Sequence, residues 1–375
     1  MQQLLGGMSA QEFLRDYWQK RPLLIKGAVP DFQGLVDWGG IQQLAMRDDA
    51  LSRLVEFRDG RWGLEQGPFT ARRLGYLDAS SNWSVLVSNL NHLLPAAAEL
   101  LYRFNFIPYA RLDDLMVSYA LAGGGVGPHF DSYDVFLLQG GGRKRWQISS
   151  QQDQSLVEGA PLRILQNFTP EQEWLLEPGD MLYLPPKFAH NGIAVEPGMT
   201  YSIGFRAPST QELAAQFLLH LSEYMQLDGM YADPDLLPHA HPAEIGPDML
   251  AKVGTMLEQI RWNETDIAHF LGVYLSGPKN HVFFDEPVEP LEYDDFVSAT
   301  AGSGVALDLK SQILFCGNAF FINGEEVSLE DVQSRAKLVE FADLRTLPAQ
   351  VLPERLLEQL FQWYQCGYIS VLSNS

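Results

Sequence analysis

The chain contains very little cysteine and comparatively little positive charge. Only two cysteines occur in 375 residues, Cys316 and Cys366. So few thiols exclude a disulfide framework and fit a reducing cytoplasm, which is the location we expect. Lysine and arginine together number 26 against 47 aspartates and glutamates, which gives a formal net charge of −21. This acidity disfavours direct binding to nucleic acid and favours basic protein partners.

Targeting signals and long apolar runs are also missing. The N-terminal stretch MQQLLGGMSAQEF has neither a basic region nor a long apolar core, so we expect no signal peptide. No apolar run approaches the length of a membrane span, so we expect no membrane association. Hydrophobic residues nevertheless make up 46% of the chain and aromatic residues 11%, which is enough for packed cores in two or three domains.

The first two hundred residues have the pattern of a β-rich domain. A helix is expected to begin after Ser9, which has capping-box spacing to Glu12, and to end within QKRPLLIKG, where Pro22 stops it. Short apolar stretches separated by turn residues then predict strands, as in a barrel or jelly roll. These stretches are RWGLEQGPFT, NWSVLVSNL, DDLMVSYALAGGG, DVFLLQGGG, KRWQIS, GDMLYLPP and MTYSIGFRAP.

The pattern changes near residue 207 and again near residue 275. Ser209 begins a helical region whose apolar side chains recur at helical spacing. They are Leu213, Phe217, Leu221 and Met225. The last hundred residues mix short strands and helices, with an Asn-Gly turn at positions 323 and 324. We therefore expect three units, residues 1–207, 208–275 and 276–375.

One stretch, GGGVGPHFDSYDVFLLQGGGRKRWQIS at 123–149, contains a histidine and an aspartate two positions apart. Alternate side chains of a strand share a face, so His129 and Asp131 can point into one cavity. A second histidine, His190, ends the stretch EPGDMLYLPPKFAH. Two histidines and a carboxylate form the metal site of non-heme Fe(II) oxygenases. An HxD pair by itself is more often structural, but the second histidine within a jelly-roll pattern favours the metal site.

The basic cluster of the same stretch raises a second question. Alternation along GRKRWQIS puts Lys144 on one face with Trp146 and Ile148. If those apolar residues face the barrel interior, the ammonium is buried too, and it needs an anion. A small dicarboxylic cosubstrate would supply one end to the lysine and the other to the metal. The alternative is a solvated turn with the strand register shifted by one residue.

Several stretches together resemble one family, the JmjC-type 2-oxoglutarate oxygenases. They are GGGVGPHFDSYDVFLLQGGGRKRW, EPGDMLYLPPKFAH and YSIGFRAP. With DYWQKRPLLIKG and DDLMVSYALAGGGVG, they are most similar to the bacterial ribosomal oxygenase branch, which hydroxylates an arginine of large-subunit ribosomal protein sixteen. The resemblance covers nearly the whole chain. It implies an α+β fold with a double-stranded β-helix (jelly-roll, cupin-like) JmjC barrel, a helical dimerisation segment and a C-terminal winged-helix-like domain.

The resemblance also implies roles at the cofactor site. The implied Fe(II) ligands are His129, Asp131 and His190. Lys144 would bind the distal carboxylate of the cosubstrate 2-oxoglutarate, a position where relatives can carry arginine. Thr200 and Ser202 would add polar contacts to the same molecule. With O2, the family uses these cofactors to hydroxylate unactivated C–H bonds.

The substrate pocket is implied in the same way. The substrate guanidinium is expected against Tyr133, with Asp114 as its carboxylate partner and Met116 packed beside it. Ordinary roles in a turn, a core or the barrel packing are the alternatives for these three residues. The implied partners are a basic ribosomal protein and a second copy of the chain. Two other functions stay open: a cupin-like metalloenzyme acting on a small molecule, and a non-catalytic protein-binding module.

Overall fold

An N-terminal barrel and a C-terminal α+β region make up the chain. The computed structural model describes residues 2–77 and 82–373. The helices of the N-terminal region are α1 (Ala10–Asp16), α2 (Trp38–Ala45), α3 (Ala71–Gly75) and α4 (Pro95–Tyr102). Its strands are β1 (Leu23–Ile25), β2 (Ser52–Arg58), β3 (Arg61–Gln66), β4 (Asn82–Val87), β5 (Leu112–Ala120), β6 (His129–Phe130), β7 (Val135–Gln139), β8 (Lys144–Ser149), β9 (Gln172–Leu176), β10 (Met181–Leu184), β11 (Ala189–Ala194) and β12 (Gly198–Phe205).

Two antiparallel sheets form the barrel. The strand order is β1-β10-β7-β12-β5-β4-β2-β3 in the larger sheet and β6-β11-β8-β9 in the smaller one. Between β5 and β12 the chain passes back and forth between the two sheets, as in a double-stranded β-helix. Each of the seven stretches predicted to be extended contains a strand. The expected jelly-roll barrel is therefore confirmed.

The first helix is shorter than its sequence predicts. Ser9 caps it as expected, and its backbone N–H donates to the Glu12 carboxylate at 2.9 Å. The helix ends at Asp16, before the stretch QKRPLLIKG in which it was expected to end, and Gln19 further along takes a left-handed conformation with φ of 57°. The backbone N–H of Gln19 donates to the Tyr183 hydroxyl at 2.8 Å. Because the helix already ends at Asp16, the prediction that Pro22 ends it was wrong.

The inner faces of the two sheets enclose a small core and an open cavity. Directly opposite residues on neighbouring strands share a face, and one such row crosses the larger sheet. The row is Arg53, Leu86, Ser118 and Thr200. Apolar side chains from both sheets pack against one another in part of this space. They are Val135, Leu137, Trp146, Ile148, Leu176, Leu182 and Leu184. The remaining space between the sheets is the cavity described below.

The C-terminal region contains helices and two small sheets. Its helices are α5 (Thr210–Tyr224), α6 (Pro247–Leu257), α7 (Glu264–Ser276), α8 (Tyr293–Ser303), α9 (Val332–Leu344) and α10 (Glu354–Gln365). Its strands are β13 (Gly304–Leu307), β14 (Ile313–Cys316), β15 (Ala319–Ile322), β16 (Glu325–Val327), β17 (Thr346–Pro348) and β18 (Ile369–Val371). The predicted Asn-Gly turn joins β15 to β16, with both residues at positive φ. Within the described residues, none of the helices has the length and apolar character needed to cross a membrane.

The apolar face of α5 packs within its own chain. The ring of Phe217 lies 5.3 Å from that of Phe270 on α7 and 5.7 Å from that of Trp262. Leu221 is buried on the same side of the helix. The face that the sequence singles out therefore contacts α7, and it gives no information about dimerisation. The dimerisation segment and the boundaries near 207 and 275 stay predictions.

Candidate metal centre

Two paired strands bring the predicted metal ligands together. His129 on β6 lies directly opposite His190 on β11 in an antiparallel pair, although they are far apart in sequence. Asp131 follows β6 and points to the same side. Its carboxylate oxygens lie 3.8 Å from Nε2 of His129 and 3.5 Å from Nε2 of His190. One ligand atom from each side chain lies within 4.8 Å of the others, so a single ion can contact all three.

Backbone carbonyls orient both imidazoles. Nδ1 of His129 lies 2.9 Å from the oxygen of Gly127, and Nδ1 of His190 lies 3.1 Å from the oxygen of Phe188. A carbonyl oxygen only accepts, so Nδ1 of each ring carries the proton. Nε2 of each ring then keeps its lone pair and faces the cluster. This arrangement fixes the tautomer that a metal ligand needs.

Burial favours the neutral imidazole at His190. Its side chain is almost fully buried, and desolvation followed by the nearby His129 lowers its pKa to about 4. The donor set of two imidazoles and one carboxylate contains no thiolate. This set fits a six-coordinate Fe(II) site with open positions better than a closed structural zinc site.

The metal ligands line a cavity of about 350 Å³ between the two sheets. All nine residues that the sequence singled out line this cavity. They are Asp114, Met116, His129, Asp131, Tyr133, Lys144, His190, Thr200 and Ser202. The structure therefore brings these nine side chains together around one cavity, and their individual roles remain proposals.

Lys144 enters the cavity from the smaller sheet. It is 8% exposed, and its Nζ lies 4.8 Å from the centroid of the Trp146 ring. Burial lowers its pKa to about 8, and the described residues place no carboxylate against it. Its neighbours Arg143 and Arg145 point outward and pair with glutamates at 3.0 and 3.2 Å. The predicted alternation is confirmed, and the buried ammonium fits an anionic ligand.

Other polar atoms of the cavity wall also lack partners within the described chain. They are Nε of Arg53, Oγ of Ser84 and Nε1 of Trp146. Buried polar atoms are normally hydrogen-bonded, so unsatisfied atoms around one cavity indicate that a polar ligand belongs there. Thr200, by contrast, donates its hydroxyl to Oε1 of Gln139 at 3.1 Å.

A second group of side chains lines a more exposed part of the cavity around Tyr133 and Asp114, which we call the outer end; the part around the almost fully buried Lys144 is the inner end. The Asp114 carboxylate accepts the backbone N–H of Asn89 at 3.0 Å, and burial raises the pKa of this carboxyl. Tyr133 is 38% exposed, and burial followed by the charge of Asp131 raises its pKa. The guanidinium of Arg53 contacts the Met116 sulfur at 3.6 Å. This end offers an aromatic ring, a thioether and a carboxylate.

Arg53 lines the cavity and Asn89 supports the Asp114 carboxylate from behind its wall, and the sequence revealed neither residue. Alternation along SRLVEFR puts Arg53 on one face with Val55 and Phe57, so the reasoning used for Lys144 could have found it. Asn89 acts through its backbone N–H, for which side-chain patterns give no signal.

Comparison with known families identifies two parts of the chain. Residues 99–213 match the model described as JmjC domain. Residues 259–370 match the model described as ROXA-like winged helix. The matches agree with the observed barrel and with the small sheets of the C-terminal region, so the expected JmjC and winged-helix folds are confirmed.

Proteins of known family extend this match to most of the chain. Ribosomal protein uL16 3-hydroxylase of Escherichia coli strain K12 is 35% identical over 84% of this chain and 84% of its own. A Haemophilus influenzae protein named "Probable ribosomal oxygenase" is 41% identical over 54% of this chain and 50% of its own. The structure of the Escherichia coli ribosomal oxygenase YcfD with cobalt and 2-oxoglutarate matches with a TM-score of 0.81 and 32% identity, over 97% of this chain and 98% of that one. The chain therefore belongs to the JmjC-domain ribosomal oxygenase family.

Proposed function

We propose that the protein is an Fe(II)- and 2-oxoglutarate-dependent hydroxylase that modifies an arginine side chain of a large-subunit ribosomal protein. One observation carries the proposal: three metal-ligating side chains and a buried, unpaired ammonium line the same cavity. Membership of the ribosomal oxygenase family supports it. A cytoplasmic location, where ribosomes are found, is part of the proposal.

The cofactors would occupy the inner end of the cavity. His129, Asp131 and His190 would hold Fe(II), since their free ligand atoms face one another. Lys144 would bind the distal carboxylate of 2-oxoglutarate, and the hydroxyls of Thr200 and Ser202 line the wall beside it. When bound, Fe(II) and 2-oxoglutarate supply the oxidising chemistry: O2 is consumed, the cosubstrate becomes succinate and carbon dioxide, and one oxygen atom enters a C–H bond.

The substrate side chain would occupy the outer end of the cavity. A guanidinium can stack on the exposed ring of Tyr133 and pair with the Asp114 carboxylate, while Met116 contacts its aliphatic part. The relative from Escherichia coli is named for uL16, and the net charge of −21 on this chain favours a basic protein of that kind. The walls of the barrel would exclude water from the reacting carbon.

A homodimer is also part of the proposal. The helical region between the barrel and the winged helix exposes many large apolar side chains, although one face of α5 packs on α7. They include Leu218, Leu219, Tyr224, Leu227, Met230, Leu236, Leu237, Leu250 and Leu257. An apolar surface of this extent is typical of a protein–protein interface, and a second copy would bury it. Light scattering should give twice the mass of one chain, and the mass of one chain would reject the dimer.

The test of the activity uses purified protein, Fe(II), 2-oxoglutarate and a uL16 peptide that contains an arginine. We expect the peptide to gain the mass of one oxygen atom while succinate forms in equal amount. A control peptide with lysine in place of arginine should stay unmodified. If neither the mass gain nor succinate is seen with full-length uL16 either, the proposed function is wrong.

The cavity also separates this proposal from its alternatives. A cupin-like enzyme acting on a small molecule has no need of a buried ammonium opposite the metal, and Lys144 therefore favours the 2-oxoglutarate enzyme. A non-catalytic binding module would not need the metal ligands to converge. Purified protein that fails to bind Fe(II) or Co(II) would favour the binding module.

A further inference from the structure

A segment of the C-terminal region contacts two residues next to Asp114, which lines the cavity. Lys279 follows α7 and lies within the stretch that matches the winged-helix family. Its Nζ lies 2.9 Å from a carboxylate oxygen of Asp113 and 3.1 Å from Oδ1 of Asn89. Two positions further on, Nε2 of His281 lies 3.1 Å from Nδ2 of Asn89. The amide of Asn89 is thus held at both of its ends by one short segment.

Asn89 connects this segment to the proposed substrate carboxylate. The residue is buried and has φ of 51° and ψ of 38°, a left-handed conformation that asparagine tolerates better than most residues. In this conformation its backbone N–H donates to the Asp114 carboxylate at 3.0 Å. The contacts therefore run in a chain from Lys279 through Asn89 to Asp114.

The two adjacent aspartates of β5 lie on opposite faces of the strand, and the Lys279 ammonium pairs with the one that faces away from the cavity. Asp114 lines the cavity, whereas Asp113 faces away from it, as successive residues of a strand do. Asp113 also lies 3.8 Å from Arg206, whose guanidinium donates to the backbone oxygen of Leu275 at 2.7 Å. The C-terminal region is therefore tied to the outer face of the strand that carries the substrate carboxylate on its inner face.

The charges around Asp114 also suit the binding of a guanidinium. Burial raises the pKa of this carboxyl, and the positive charge of Lys279 is the strongest of the influences that lower it. Arg53 lowers the pKa further, while the neighbouring Asp113 raises it. A guanidinium binds best to an ionised carboxylate, so the ammonium favours the form that the substrate needs.

We propose that Lys279 is a positioning residue, through which the C-terminal region holds Asn89 and the Asp114 carboxylate ready for the substrate guanidinium. The inference rests on the function proposed above and deepens it. It gives the winged-helix region a part in substrate recognition that needs no contact between that region and nucleic acid. The plain alternative is that Lys279 only fastens the C-terminal region to the barrel.

The test compares Lys279→Met and Lys279→Arg with a matched control, Lys310→Met. Lys310 belongs to the same region and pairs with Asp285 at 3.0 Å, but it does not contact Asn89 or Asp113. For Lys279→Met we expect the KM for full-length uL16 to rise about tenfold, as loss of one charge-assisted contact can produce. Its kcat and its KM for 2-oxoglutarate should stay within about twofold of the unmutated protein. Lys279→Arg should restore most of the affinity, and Lys310→Met should behave like the unmutated protein.

Two further measurements separate positioning from fastening. Asn89→Gly keeps the backbone N–H and tolerates the left-handed conformation but removes the amide that Lys279 holds. It should raise the same KM, and combining it with Lys279→Met should add little. A peptide with citrulline in place of arginine carries no positive charge, so its affinity, measured by titration calorimetry, should hardly change in Lys279→Met.

Distinct outcomes overturn the inference and the proposed function. An unchanged KM for uL16 in Lys279→Met, with active unmutated protein, rejects the inference alone. A parallel loss of kcat, of 2-oxoglutarate affinity and of thermal stability also rejects it, since fastening alone would explain that result. If the unmutated protein itself fails to hydroxylate uL16, both proposals are wrong.

Discussion

The two ends of the cavity differ in whether the protein itself supplies contacts to the charged group. At the inner end, the Lys144 ammonium is buried and faces no carboxylate of the described chain. At the outer end, the Asp114 carboxylate already accepts a backbone N–H from Asn89, with Lys279 behind it. The inner end therefore depends on its ligand for charge balance, whereas the protein organises the outer end in advance. The difference fits a small cosubstrate that brings two carboxylates and a protein substrate that brings a positive charge.

The largest effect is expected from Asp131→Ala, which removes the ligand between the two histidines. Two imidazoles alone bind Fe(II) weakly, so the variant should lose its metal. Hydroxylation should then fall about 10³-fold or more, however well either end of the cavity binds its ligand. Metal content by mass spectrometry and turnover of uL16 would be measured. Asp235→Ala, at an exposed carboxylate paired with Lys252, is the control and should keep both. Full metal content and activity in Asp131→Ala would show that the metal lies elsewhere.

Lys144→Met should affect the inner end alone. Because the ammonium is the only charge of the smaller sheet that points into the cavity among the described residues, its loss should raise the KM for 2-oxoglutarate about a hundredfold. The KM for uL16 should change much less. The neighbouring Arg145→Met is the matched control, because Arg145 is exposed and pairs with Glu173. If cosubstrate affinity survives in Lys144→Met, the small-molecule cupin becomes the better interpretation.

Strand alternation explains why the inner end could be predicted from the sequence. Lys144 shares a strand with Trp146, and His129 and Asp131 are two positions apart, so local spacing was enough to place them on inner faces. Their distance from His190 required the barrel, and the turn-rich pattern of short strands supplied that fold.

The outer end could be predicted only in part. Asp114 was identified through family resemblance, but its support comes from a left-handed backbone at Asn89 and from Lys279, about 190 residues further on. Neither is encoded in a local pattern. The same limit applies to the first helix, which ends at Asp16, well before the nearby proline, and is followed by a tertiary contact between Gln19 and Tyr183.

Asp114→Asn should affect the outer end alone. It keeps the size of the side chain and removes the charge that a guanidinium would pair with, so the KM for uL16 should rise about thirtyfold. The KM for 2-oxoglutarate should stay within a few-fold, which is the reverse of the result expected for Lys144→Met. An equal change in both constants would show that the two ends are not independent.

The smallest expected effect concerns the free energy of unfolding without cosubstrate. Because no carboxylate of the described chain faces the buried Lys144 ammonium, this ammonium should destabilise the folded protein. Burial lowers its pKa from 10.5 to about 8, which corresponds to about 3 kcal/mol at neutral pH. Lys144→Met removes this cost and also loses the contact of the ammonium with Trp146, worth up to about 1 kcal/mol. We therefore expect the cofactor-free variant to be about 2 kcal/mol more stable to urea at pH 7.

The pH dependence of that difference follows from which state holds the proton. Below pH 8 both the folded and the unfolded chains carry the ammonium, so the cost is fully present. Between pH 8 and 10.5 only the unfolded chain keeps the proton, and the unmutated protein gains stability as the pH rises. The advantage of Lys144→Met should therefore shrink between pH 7 and pH 10, and 2-oxoglutarate at pH 7 should remove it as well, because the bound dicarboxylate supplies the missing charge. A variant that is less stable than the unmutated protein at pH 7 would mean that Lys144 already has a partner, and the contrast between the two ends would no longer hold.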